Sequence, residues 1–190
     1  VVPAKKGYDT VIYHKDLDHY PALAFDVVIN GHKVRLFSAH LQTYGLSNAD
    51  KRITGTDTDC DCDVMQGSRL YGMSFGAKLD RAFSMRADDA VNLRNAIDRS
   101  PETVIVCGDF NDVPGSFCYR TLAGDDMKDA WTECGLGYAH TYNAHRFYFK
   151  IDHILYRGNL RAVDARVYSD VPQTYTSSDH YPHTATFKFY

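Results

Sequence analysis

Apolar and polar positions along this chain change period several times, and each change marks a predicted element. Tyr8 to His14 is rich in β-branched and aromatic residues and reads as a strand. Ala22 to Ile29 and His32 to His40 are two more such runs, separated by Asn30-Gly31. Both turn residues tolerate positive φ, so the pair predicts a β-hairpin. The second arm ends in Ser38-Ala39-His40-Leu41-Gln42, and a polar stretch from Thr43 to about Gln66 follows. That is longer than most loops in compact domains, and loops of this length tend to be functional.

From Ser68 to Arg99 the apolar spacing turns to three and four. Leu70, Met73, Leu79, Phe83 and Met85 lead into Ala87, Ala90, Val91, Leu93, Ala96 and Ile97. This predicts a helix that Gly72 and Gly76 would interrupt and Ser100-Pro101 would close. Glu102 to Val106 is a short apolar run, expected to be a strand covered on both faces. It opens into the polar turn Cys107-Gly108-Asp109-Phe110-Asn111-Asp112. Short helical pieces are expected near Ser116 to Leu122 and Lys128 to Thr132, then strands at Lys150 to Tyr156, Leu160 to Tyr168 and Thr184 to Phe189. A strand–helix–strand middle with hairpins at both ends predicts mixed sheets with helices packed outside, an α/β or α+β sandwich.

Composition narrows this little. The length of 190 residues suits one domain spanning 1–190, and fourteen tyrosines make aromatic packing prominent. Net charge is −3, and no Lys/Arg run provides the basic footprint of a protein that grips long nucleic acid by its phosphates. The charge therefore leans towards a small ligand over long duplex DNA while leaving a locally basic site open. Five cysteines show no regular framework. Cys107 lies in an apolar run and reads as a small core residue. Cys60 and Cys62, inside Asp57 to Asp63, lack zinc-knuckle spacing and read as part of a solvated acidic loop, with a regulatory metal site there as the minor alternative. No run of about eighteen apolar residues is present, so no membrane-spanning helix is expected. Val1 to Gly7 runs straight into a strand pattern with no initiator Met and no signal peptide. The chain thus reads as a domain truncated at its N-terminus.

Chemistry-bearing residues gather at predicted strand ends, which converge on one rim of a sheet. They are His40, Asp109 with Asn111 in Gly-Asp-Phe-Asn, and Asp179 with His180 in Ser-Ser-Asp-His-Tyr-Pro. Singly, each has a bland reading as a turn former or a structural histidine. Asp152 differs. A carboxylate flanked by Ile151, Ile154 and Leu155 is expected to be partly buried and to need a partner, for which a histidine is suited.

Together these segments resemble the endonuclease/exonuclease/phosphatase family, which includes DNase I, abasic-site endonucleases, sphingomyelinases and inositol-phosphate phosphatases. Val104-Ile105-Val106-Cys107-Gly108-Asp109-Phe110-Asn111, Lys150-Ile151-Asp152-His153-Ile154-Leu155 and Ser178-Asp179-His180-Tyr181-Pro182 resemble its three C-terminal motifs in order. Ser38-Ala39-His40-Leu41 resembles the preceding one. The resemblance implies a DNase I-like four-layer sandwich of two mixed β-sheets flanked by helices, with the N-terminal part missing. It implies hydrolysis of a phosphoester by an activated water with Mg²⁺ or Mn²⁺, and a phosphorylated substrate as partner. Asp179 would be a metal ligand, and His180 a general base or charge stabiliser. Asp152 would orient His180, and Asp109 would position or deprotonate the water or protonate the leaving oxygen. Asn111 would donate a hydrogen bond, and His40 would contact phosphate. Asn143 and Arg146 are candidate substrate contacts; Arg69 and Lys78 are weaker ones, expected on a solvated helix face. The chemistry is coherent. An anionic ester needs a cation, donors and a proton route, and oxygen ligands suit Mg²⁺ better than zinc.

One departure stands out. The family's early Asn and Glu motifs have no match here, which leaves a non-catalytic binding module as the second reading. The Asn143 to Leu155 stretch also resembles a bacterial subgroup with hydrophobic segments ahead of this domain, implying a membrane anchor upstream.

Overall fold

The Asn30-Gly31 pair does turn the chain. In the computed structural model, which describes residues 10–14, 22–45, 74–143 and 148–190, Asn30 has φ 50° and Gly31 φ 80°. Strands β2 (Ala22–Ile29) and β3 (His32–His40) leave it as an antiparallel pair in register from Ala22 opposite Ala39 to Ile29 opposite His32. Strand β1 (Thr10–Tyr13) adds to the free edge of β2. The acidic Asp57–Asp63 segment, Cys60, Cys62, Arg69, Gly72 and Arg146 lie outside the described residues.

Helix α1 (Phe75–Asp98) starts where Ser74 accepts a hydrogen bond from the Ala77 amide, and Gly76 sits in its first turn without breaking it. Its buried stripe is Lys78, Ala82, Arg86, Ala90, Leu93, Ala96 and Ile97. This corrects two expectations. Phe83, Met85 and Val91 face outward, and Lys78 is buried instead of lying on a solvated face. A ridge of four-residue steps from Lys78 alternates cations with alanines, Lys78, Ala82, Arg86 and Ala90, so apolar character alone placed the stripe one position off.

The helix returns the chain to β4 (Val104–Asp109), parallel to β3. Next come α2 (Phe117–Ala123), β5 (Lys128–Asp129), α3 (Ala130–Cys134), β6 (Asp152–Arg157), β7 (Leu160–Val167) and β8 (His183–Phe189). Lys128 and Asp129 were expected to be helical. Instead they pair with β6, and Asp129 caps α3 by accepting the Trp131 amide. The main sheet is mixed, in the order β1-β2-β3-β4-β6-β5, and β7-β8 form a second, antiparallel pair. One face of the main sheet packs on α1 and α2 through Phe37, Ala39, Val104, Val106, Phe110, Leu93, Ile97 and Leu122. The other packs on β7 and β8 through Val34, Leu36, Ile105, Ile154, Tyr156, Leu160 and Phe187. β4 is therefore covered on both sides, as its apolar run predicts. Cys107 packs against the second cluster, half-buried, and burial pushes its thiol pKa up.

Two positions are exacting. Gly108 has φ 142°, and a Cβ there would lie 1.9 Å from the Ala39 carbonyl oxygen of β3. Gly108→Ala is expected to remove more than about 3 kcal/mol of stability; a melting temperature within about 2 °C of the parent would contradict this. His183 has both ring nitrogens buried without hydrogen-bond partners, and burial lowers its pKa to about 4. The unfolded chain protonates this imidazole near its ordinary value of about 6.5. The stability tied to its neutral form is thus complete above that value and is lost as pH falls towards 4. Denaturant unfolding of the parent should show this loss, about 3 kcal/mol at most. His183→Phe should flatten that part of the profile, and an unchanged slope would refute the assignment.

Candidate active site

Strand parity and register build the site. In β3, Val34 and Leu36 face the small sheet, and so do the alternate positions Ser38 and His40. In β4, Ile105, Cys107 and Asp109 share that face, as Asp152, Ile154 and Tyr156 do in β6. The pairing sets His40 opposite Asp109, and Asp109 opposite Asp152. Three chemistry-bearing residues, far apart in sequence, therefore stand in one row across three adjacent strands.

His180 closes the row from the segment before β8. Its Nδ1 lies 2.8 Å from Asp152 Oδ2, and its Nε2 lies 3.9 Å from Asp109 Oδ2. His40 Nε2 approaches the same Asp109 oxygen at 3.7 Å from a mostly exposed position. A carboxylate oxygen can only accept, so His180 Nδ1 carries the proton towards Asp152 and Nε2 is left facing Asp109. Asp152 thus meets a half-buried histidine, His180.

The two carboxylates are held in different states. Burial raises the Asp109 pKa, and the nearby Asp152 adds to this; the Asn111 amide, His180 and His40 only partly oppose it. Burial also acts upward on Asp152, but its hydrogen bonds with His180 and Thr141 outweigh that and bring its pKa below the ordinary value. The hydrogen bond to Asp152 in turn raises the His180 pKa against the effect of burial. Asp109 and Asp152, facing each other across the β4–β6 ladder, are thus shifted in opposite directions.

Asn111 adopts φ 50°, which few residues other than glycine do easily. Its amide N–H donates to Asp109 Oδ1 at 2.7 Å, and its side-chain Nδ2 donates to the Leu41 carbonyl at 3.0 Å. One side-chain hydrogen is therefore spent tying the β4 turn to the end of β3. The buried Arg86 of α1 strengthens the same junction: Nη1 donates to the Gln42 carbonyl at 2.9 Å, and Nε lies 3.7 Å from Asp112 Oδ2.

Asn143 stands beside Asp179, its amide donating to the Asp179 carbonyl at 2.8 Å. Asp179 itself is exposed, and among the described residues no three His, Cys, Asp or Glu side chains converge as a metal cage. Taken alone, the described residues fit a divalent ion only as far as one oxygen ligand. Two residues escaped the sequence reading. Thr141 Oγ1 accepts the amides of Ile151 and Asp152 at 3.0 and 2.9 Å. The Tyr142 ring packs edge-on to His180 with centroids 5.2 Å apart. Tyr142 pairs with Phe149 and His180 only through isolated bridges, so no strand periodicity signals this segment.

Comparison with known proteins bears on the fold and the family. The structure of an endonuclease/exonuclease/phosphatase from Bacteroides vulgatus superposes with TM-score 0.55 at 17% identity, over 89% of this chain and 55% of that one. The chain thus spans about half the length of that relative. The Neisseria 3′ phosphatase NExo, solved bound to a product DNA hairpin, gives 0.55 at 18% identity over 96% and 72%. A humanized Danio rerio TDP2 gives 0.59 at 15% identity over 95% and 67%. Identities this low establish a shared fold. No curated protein matches the sequence significantly. The family model "Endonuclease/Exonuclease/phosphatase family" matches residues 8–180, and the chain therefore belongs to that family.

Proposed function

We propose that this domain hydrolyses a phosphoester by in-line attack of water, with Mg²⁺ or Mn²⁺ as cofactor. The observation that carries this reading is the in-register row His40–Asp109–Asp152, closed by His180. It sets two carboxylates of opposite pKa shift on either side of one imidazole. Such a row offers a proton acceptor and an oriented imidazole side by side, groups that an anionic phosphoryl centre can use.

Asp109, its pKa raised by burial, takes the proton of the attacking water. His180, kept oriented by Asp152 with its pKa raised, faces the phosphoryl group with Nε2 and, when protonated there, donates a hydrogen bond to its oxygens. His40, exposed at the end of β3, and the remaining Asn111 amide hydrogen add donors to the same oxygens. Asp179 would serve as one hard-oxygen ligand to that ion. When bound, the ion supplies positive charge at the phosphoryl oxygens. Asn143, next to Asp179, contacts the substrate together with Arg146. The substrate is a phosphorylated molecule. The DNA hairpin bound to the Neisseria structure makes nucleic acid one candidate, while the net charge of −3 favours a short or small one.

The decisive measurement is hydrolysis of a chromogenic phosphodiester by the natural full-length protein with Mg²⁺ or Mn²⁺. His180→Ala should lower kcat by about 10²–10⁴ without unfolding the protein; retained activity in a folded His180→Ala variant would overturn its role. A parent inert towards a panel of monoesters and diesters would favour the binding-module reading instead. Asn111→Ala should lose about 10²–10³ in rate and also about 1–3 kcal/mol of stability, because the Leu41 carbonyl loses its donor. Denaturant unfolding beside the kinetics separates the two effects.

A further inference from the structure

Behind the row, on the helix-facing side of the main sheet, lies a second charged group that the chemistry above does not use. Lys150, Asp129 and His153 are all buried, with side-chain exposures of 6%, 4% and 0%. Their hydrogen bonding closes on itself. His153 Nε2 lies 2.9 Å from the Asp112 carbonyl, which can only accept, so the ring proton sits on Nε2. Nδ1 must then accept, and Lys150 Nζ stands 3.0 Å away to donate. The same ammonium donates to the backbone carbonyl of Asp152 at 3.2 Å and faces Asp129 Oδ2 at 3.6 Å. Two of its hydrogens thus have acceptors, and its charge is paired with the Asp129 carboxylate. Asp129 also accepts the Tyr119 hydroxyl at 3.0 Å and the Trp131 amide at 2.8 Å. His153 Nδ1 is 3.7 Å from Asp129 Oδ2, an electrostatic contact that is too long for a hydrogen bond.

Burying a charge pair is costly, and apolar replacement of such pairs is often neutral or stabilising. Fold stability alone is therefore a poor reason for this cluster. Its outward bonds point to another. One, from His153, holds the carbonyl of Asp112, the residue after Asn111; the other, from Lys150, holds the carbonyl of Asp152 itself. We infer that the Lys150–Asp129–His153 cluster is a positioning device, which fixes the Asn111–Asp112 turn and the Asp152 end of β6 relative to each other from behind. This rests on the phosphoesterase reading for its consequence in rate, but not for its consequence in geometry. None of the three residues touches substrate; they act through the backbone of those that do.

The test is the double variant Lys150→Met with Asp129→Leu, which removes both charges together and leaves neither one buried alone. It should fold, with a melting temperature lowered by no more than the loss of the α3 cap and the Tyr119 contact accounts for, about 1–3 kcal/mol of stability. Its kcat should fall at least about tenfold with KM within about threefold, since displacements of around an ångström at a reacting centre can cost 10²-fold. The Nδ1 proton of His180, hydrogen-bonded to Asp152, gives a downfield proton resonance, and this should move or broaden. A folded double variant with parental kcat and an unmoved resonance overturns the proposal. If the parent shows no hydrolysis, the phosphoesterase reading fails and the resonance alone decides the positioning role. If the double variant does not fold, His153→Phe takes its place. The ring keeps its packing against Phe110 and Tyr119 but cannot hold the Asp112 carbonyl. The same loss in kcat, or the same change in the resonance, is expected, and parental values overturn the proposal.

Discussion

The parallel pairing of β3 with β4 is the constraint on which the rest of this structure depends. Parallel neighbours need a long crossover, here the route through α1, and both end at the same rim of the sheet. That places His40 and Asp109 side by side as the last residues of their strands. The antiparallel pairing of β4 with β6 then makes Asp152, the first residue of its strand, the next member of the row. A slip of one residue in either pairing would turn a carboxylate into the helix-facing core. Gly108, one residue before Asp109, lets the two backbones approach closely where the row begins. The register that builds the sheet is thus also what assembles the site.

Similar side chains acquire different properties from this arrangement. Asp109 and Asp152 are opposite each other and both partly buried, yet their pKa values move apart because their hydrogen-bond partners differ. Asp152 has an imidazole and a hydroxyl turned towards it; Asp109 has one backbone amide, two more distant imidazoles and the repulsion of Asp152. Burial acts upward on both, and the partners decide which way each one goes. Asp129 follows the rule further: burial pushes its pKa up, but His153, Lys150 and the Trp131 amide overcome that and keep it well below the usual carboxylate range.

Much of this was legible in the sequence because it rests on local rules. Asn30-Gly31 announced its hairpin through backbone permissiveness, and the apolar run of β4 announced a strand covered on both faces. That Asp152 needs a partner, for which a histidine is suited, followed from its flanking residues. Other features were illegible for reasons that are equally physical. The buried stripe of α1 includes Lys78 and Arg86, and no hydrophobic period finds a stripe that begins with cations. β5 is two residues long, too short to carry a period, and Asp129 read as a helix residue when it is that helix's cap. Thr141 acts through its hydroxyl and Tyr142 through isolated bridges, both outside any strand. The Lys150–Asp129–His153 cluster joins three segments through side chains alone, so only the three-dimensional arrangement reveals it.

The site therefore has two kinds of support. His40, Asp109 and Asp152 stand on strands whose positions are fixed by ladder hydrogen bonds and by packing on both faces. His180, Asp179 and Asn143 come from irregular segments held by isolated bridges and single backbone bonds, such as the Asn143 amide to the Asp179 carbonyl. Groups that must act at one atom tolerate little displacement, whereas groups that recognise a substrate must differ among proteins of one fold. Placing the carboxylate row on the sheet and the neighbouring polar contacts on connecting segments satisfies both demands. His180 belongs to the second kind by its backbone and to the first by the role proposed for it, and its hydrogen bond to Asp152 is what ties a loop-borne imidazole to the sheet.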